Sequence, residues 1–120
     1  EAKESGAKKV VVWGTGTPRR EFLYVDDMAD ACVYLMKTYS GGVVVNIGTG
    51  DDITIAEFAR VVADTIGYRG EITFDTSRPD GTPRKLLDVS RLAELGWRAH
   101  TSLRQGIGLA YEAYLRARLR

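Results

Sequence analysis

Short β-branched runs alternate along this chain with stretches of helical period. Lys9–Trp13 is a run of valines ending in Trp13, the pattern of a short buried strand. Met28, Ala31, Cys32, Leu35, Met36 and Tyr39 recur at helical spacing, and Asp26 or Asp27 is placed to cap that helix. Gly41 and Gly42 end it. Val43–Ile47 is apolar on both faces and predicts a second, buried strand. Thr54 and Glu57 have the spacing of a capping box, with Ile53 and Phe58 set to form a hydrophobic staple. The helix they open carries Ile55, Phe58, Ala59, Val62 and Ile66 on one face and stops at Gly67. Glu71–Phe74 predicts a third strand. Ser90 caps a short helix that stops at Gly96, and Ser102 with Gln105 forms a second capping box. The last helix places Leu103, Ile107, Ala110, Tyr111, Tyr114 and Leu115 on one side. This alternation of strands and helices is that of an α/β chain without an internal repeat.

With 120 residues the chain is one domain, or part of one. Hydrophobic content of 44% and charged content of 28% are ordinary for a soluble globular protein. A net charge of +1 gives no nucleic-acid or membrane footprint. No apolar run approaches a membrane span, and no signal peptide is visible. The single cysteine, Cys32, excludes an internal disulfide and fits a reducing cytoplasm. Glu1–Ser5 reads as the tail of a helix closed by Gly6, with no initiating methionine. A piece of a longer protein is expected, with an expression scar as the alternative.

Two stretches carry the chemistry. Val10–Asp27 joins an aromatic strand end, a Gly-Thr-Gly-Thr-Pro turn, the cations Arg19 and Arg20, and the start of a helix. Arg78–Asp88 repeats a Pro- and Gly-containing turn followed by adjacent cations, Arg84 and Lys85. Arginine presents a planar fork that matches phosphate oxygens in pairs, so the two stretches are expected to face one site for a phosphorylated ligand. Each residue also has a plainer reading. Arg20 is either a surface cation or a phosphate ligand, and Arg84 and Lys85 are either solvated charges or part of that site. Trp13, at a strand end, reads first as core. Asp80 can simply shape its turn.

Other chemistries find little support. A dinucleotide fingerprint needs a third glycine three residues after the second; Arg19 and Ile53 stand there instead, and Asp51 and Asp52 would repel a pyrophosphate. Both Gly-Thr-Gly segments therefore read as turns. No Walker sequence and no metal-ligand spacing occurs. His100, the one histidine, reads as a surface residue without a partner, and Cys32 as core. None of the six tyrosines has Lys four positions on, so no Tyr-x-x-x-Lys pair is present.

The segments VVVWGTGTPRREFLYVDDMADA, VVNIGTG, TIAEFA and RPDGTPRKLLDVSRLAELGW together resemble the extended short-chain dehydrogenase/reductase family of nucleotide-sugar enzymes, and within it the GDP-L-fucose synthases. The combination of PDGTPRKLLD with WGTGTPRREF is the specific part. REF-x-YVDD, NIGTG and LGW are shared with other nucleotide-sugar epimerases. The resemblance covers nearly the whole chain and points to the C-terminal, substrate-binding portion of such an enzyme. It implies a complete enzyme that uses NADP(H) to epimerise and reduce GDP-4-keto-6-deoxymannose. It also implies that the cofactor site and catalytic residues lie in a Rossmann half absent from this chain. By itself the chain is then expected to be inactive, with no catalytic, cofactor or metal residue of its own.

Carried over by position, Trp13 and Arg20 match substrate-contacting residues, Lys85 a lysine near the nucleotide diphosphate, and Asp80 a residue of the same loop. The implied partners are a GDP-sugar and the N-terminal cofactor domain. Residues 26–47 of the single region 1–120 are expected to pack against that domain. Bared of it, their apolar surface predicts a homo-oligomer. The alternatives are a stand-alone, non-catalytic nucleotide-sugar-binding or assembly domain, and a fragment of another nucleotide-sugar epimerase.

Overall fold

The chain is described by a computed structural model covering residues 1–118. Helix α1 (Ala2–Ser5) ends at Gly6, which takes a left-handed conformation and donates to helix carbonyls. Strand β1 (Lys9–Trp13) pairs in parallel with β4 (Glu71–Asp75), Lys9 opposite Glu71 and Trp13 opposite Asp75. A parallel pair needs a crossover. Here it contains the short strand β2 (Arg19–Arg20), helix α2 (Val25–Thr38), strand β3 (Ile53–Thr54) and helix α3 (Ile55–Ile66). Beyond β4 lie β5 (Arg84–Lys85), helix α4 (Ser90–Glu94) and helix α5 (Leu103–Arg118), which packs along α3. A second sheet has the order β3-β2-β5, antiparallel then parallel.

Local signals set α3. Thr54 Oγ1 accepts from the Glu57 amide at 3.1 Å, while the Glu57 carboxylate accepts from the Thr54 amide, and Gly67 closes the helix at φ 73°. At α5, Ser102 Oγ accepts from the Gln105 amide at 3.3 Å, the forward half of its box. The short helix α4 begins one residue earlier than a Ser90 cap requires. Its N-cap is Val89, without a side-chain cap, and Asp88 just before it accepts from the Ser90 amide at 2.9 Å.

Helix α2 also starts differently. Its N-cap is Tyr24, without a side-chain cap, and neither Asp26 nor Asp27 caps it. Asp27 is drawn away to the 100–101 loop. It accepts from the His100 amide (3.1 Å), the Thr101 amide (2.9 Å) and Thr101 Oγ1 (2.7 Å). Its side chain is 1% exposed. Burial disfavours the charged form, but the bonds from Thr101 and His100 outweigh it and hold the carboxyl below its usual value.

Val43–Ile47 is not a strand. A strand needs a ladder partner, and none of the described strands runs beside it. Side chains tether it instead: Arg91 donates to the Val44 carbonyl at 2.7 Å, and Asn46 to the Asp88 carbonyl at 3.2 Å.

The core centres on Ala31, Leu92 and Trp97, with Leu23, Tyr34, Leu35, Val45 and Ile47 packed around it. It is small. Cys32, expected inside, is exposed. Helix α2 turns Val25, Val33 and Met36 outward, and Met36 and Val44 are 84% and 81% exposed. The expected apolar face of α3 is only half covered and lines an open cavity of about 530 Å³ with Val10, Val12 and Ile72. The radius of gyration, 17.1 Å, exceeds the roughly 14 Å of a compact domain of this length.

Candidate functional site

The two informative stretches meet in the small sheet. Parallel pairing of β2 with β5 sets Arg19 opposite Arg84 and Arg20 opposite Lys85. The Arg19 amide donates to the Pro83 carbonyl at 2.8 Å, just outside the ladder. Side chains alternate along a strand, so each facing pair points to its own side. The first pair converges on Asp52. Arg19 Nε donates to one carboxylate oxygen at 2.7 Å and Arg84 Nε to the other at 2.5 Å. These two bonds hold the Asp52 carboxyl below its usual value. The second pair, Arg20 and Lys85, faces no carboxylate within ion-pair distance among the described residues. Arg20 Nη1 donates to the Arg19 carbonyl at 2.7 Å, which fixes the guanidinium beside Gly81.

Parallel pairing of β1 with β4 sends the loops after Trp13 and after Asp75 out of the same edge. Asp80 ties them together, accepting from the Thr15 amide and from Thr15 Oγ1, each at 2.8 Å. The glycines make this possible. Gly14 has φ 85°, and a Cβ there would lie 2.2 Å from Asp80 Oδ1; at Gly16, φ 76°, it would lie 2.5 Å from the Phe74 ring.

Trp13 is not core: it is 69% exposed, because β1 has no layer over that face among the described residues. The Arg78 guanidinium lies over its ring, 4.9 Å from the centroid. The structure thus joins Arg20 with Lys85 across β2 and β5, and Asp80 with the loop that leaves Trp13. Gly81 beside Arg20 links the two halves.

Three residues around these cations are not marked by the sequence. Asp52 looks repulsive beside its Gly-Thr-Gly turn, but it pairs with arginines 33 and 32 positions away. Thr15 and Arg78 carried no local signal beyond their loops. His100 is an exposed side chain, as expected, but it has a partner: Nε2 lies 3.1 Å from Asp27 Oδ1. It stands in another cleft of about 520 Å³, lined also by Thr49, Asp51, Asp52 and Ser102. Arg20 also reaches the rim of the apolar 530 Å³ cavity, but that lining offers little to a phosphate.

A dinucleotide does not fit either Gly-Thr-Gly turn. The amides that would cradle a pyrophosphate are taken by the protein: Gly14 donates to the Asp75 carbonyl, Thr15 to Asp80 and Gly50 to Glu21. The first turn leads into β2 and not into a helix. No group of three or more metal-binding side chains occurs among the described residues, and no described helix is long and apolar enough to cross a membrane.

Residues 1–48 match the NAD dependent epimerase/dehydratase family. GDP-L-fucose synthase 1 of Arabidopsis thaliana is 55% identical over 116 residues, which are 97% of this chain and 36% of that protein. The GDP-L-fucose synthase of Escherichia coli is 48% identical over 124 aligned residues, 96% of this chain and 39% of that protein. A crystal structure of a GDP-L-fucose synthetase from Naegleria fowleri bound to NADP superposes with a TM-score of 0.88 at 27% identity. It covers 96% of this chain and 36% of that one. In sequence and fold the chain is therefore similar to the nucleotide-sugar epimerases. More narrowly, the chain matches the C-terminal third of the GDP-L-fucose synthases. It is mixed α/β and spans about a third of the length of these relatives, and the Rossmann half is absent among the described residues.

Proposed function

We propose that this chain is the part of a GDP-L-fucose synthase that grips the GDP-sugar. The reaction would be the NADP-dependent epimerisation and reduction of GDP-4-keto-6-deoxymannose. The observation that carries this reading is the pairing of Arg20 with Lys85 across β2 and β5, unopposed by any described carboxylate, beside the loop stapled by Asp80. Two adjacent cations, one a rigid fork and one a point charge, suit a diphosphate. Trp13 packs beside the sugar or base. Asp80 can accept from a ribose hydroxyl or the guanine edge with the lone pairs that Thr15 leaves free. Hydride transfer belongs to groups this chain does not contain.

Titration with GDP-, UDP- and dTDP-linked sugars tests the reading, and GDP-linked sugars are expected to bind best. Lys85→Ala should weaken GDP and GDP-mannose alike by roughly tenfold, about 1.4 kcal/mol. Asp80→Asn should cost more with GDP than with ADP. An unchanged GDP-to-ADP ratio would assign Asp80 to its staple with Thr15 alone.

The apolar outer face of α2 and the unpaired segment 43–47 are, in this proposal, the surface that docks on the cofactor half. Without it, the chain is expected to associate with itself and cover residues 26–47, most simply as an isologous dimer. Light scattering with hydrogen exchange checks this. A folded monomer at micromolar concentration, strongly protected over 43–47, would contradict it.

A further inference from the structure

Asp52 lies outside the set of residues that would touch the ligand, yet its carboxylate is the meeting point of the sheet that carries two of them. Its side chain is only 4% exposed. One oxygen holds Arg19 of β2 and the other holds Arg84 of β5, while the Asp52 carbonyl also accepts from Arg19 Nη2 at 3.1 Å. Arg19 and Arg84 are the residues immediately before Arg20 and Lys85 in the same register. Each strand is two residues long, too short to fix its own spacing by backbone hydrogen bonds alone. We propose that Asp52 is a positioning residue for diphosphate binding: by clamping Arg19 to Arg84 it sets the separation and direction of Arg20 and Lys85 on the opposite side. The inference rests on the reading of that pair as the diphosphate site.

Two physical consequences separate this role from others. Removing the Asp52 charge leaves Arg19 and Arg84 uncompensated, which makes the neighbourhood more positive. Simple attraction of an anion would then increase. Positioning predicts the reverse, because two cations out of register cannot both reach one diphosphate. The effect should also pass through Lys85 and so fail to add to its loss.

The experiment is calorimetric titration of the 120-residue chain and its Asp52→Asn variant with GDP and with guanosine, which shares the base and ribose but has no phosphate. Asp52→Asn should lower GDP affinity about tenfold, leave guanosine affinity unchanged, and have a smaller effect in a Lys85→Ala background. Asp52→Glu, which keeps the charge, should restore part of the loss. It also carries the same GDP-to-guanosine comparison if the Asn variant does not fold. Unchanged or tighter GDP binding, or equal losses for GDP and guanosine, would overturn the positioning role. A parent chain that binds GDP no better than guanosine would instead remove the diphosphate reading, and this inference with it.

Discussion

Arg20→Ala is expected to reduce GDP-sugar binding by about 2–5 kcal/mol, the range for removing one partner of a desolvated, hydrogen-bonded charge pair. Arg20 is half-buried, and its guanidinium is oriented by the Arg19 carbonyl, so little rotamer freedom is left to lose on binding. The fold should survive the change. Arg20 takes part in no ion pair among the described residues, and the Arg19–Asp52–Arg84 clamp does not pass through its side chain. Arg20→Lys should recover only part of the loss, since an ammonium keeps the charge but not the fork. Isothermal titration with GDP, alongside a thermal melt of each variant, checks this. Equal affinities for the parent chain and Arg20→Ala would remove Arg20 from the site.

Asp27→Ala is expected to cost about 2–4 kcal/mol of stability, because it strips the acceptor from three donors of the 100–101 loop around a buried carboxylate. The loss should depend on pH. The carboxyl titrates below its ordinary 3.8 in the folded chain. A lowered folded value contributes stability that is complete above the unfolded value and is lost as pH falls through the folded one. The gap between the parent chain and Asp27→Ala should therefore be full at pH 6–7 and shrink below about pH 4. Asp52, held low by Arg19 and Arg84, adds its own loss on the same acid limb, so the variant still weakens in acid. Urea denaturation at pH 7 and pH 3 measures both gaps. A gap independent of pH would assign the effect to lost shape and not to charge.

What was legible in the sequence follows from the range of the interaction. The Thr54–Glu57 box and the glycine stops at Gly6 and Gly67 depend on neighbours within a few residues, and they form as read. Strands Lys9–Trp13 and Glu71–Asp75 are visible in their β-branched residues. Burial was not legible, because it depends on what lies across from a face. Trp13 and Cys32 have the composition of core and stand in solvent. Val43–Ile47 has the composition of a strand but lacks a ladder partner among the described residues. Asp27 has the position of a cap, yet the 100–101 loop offers three donors that outcompete the helix end. At the candidate site, the cation types and their turns were visible; the register that sorts four cations into a clamped pair and a free pair was not. It is set by contacts between residues more than thirty positions apart.

The proposed function holds GDP where β2, β5 and the loops after Trp13 and Asp75 converge. Amide chemical shifts of the isotopically labelled chain, followed during titration with GDP, test it most directly. Saturable shifts are predicted at Trp13, Thr15, Arg20, Gly81 and Lys85, and smaller ones with guanosine at Arg20 and Lys85. Shifts confined to the cleft of His100 and Ser102, or no shift at millimolar GDP, would contradict it.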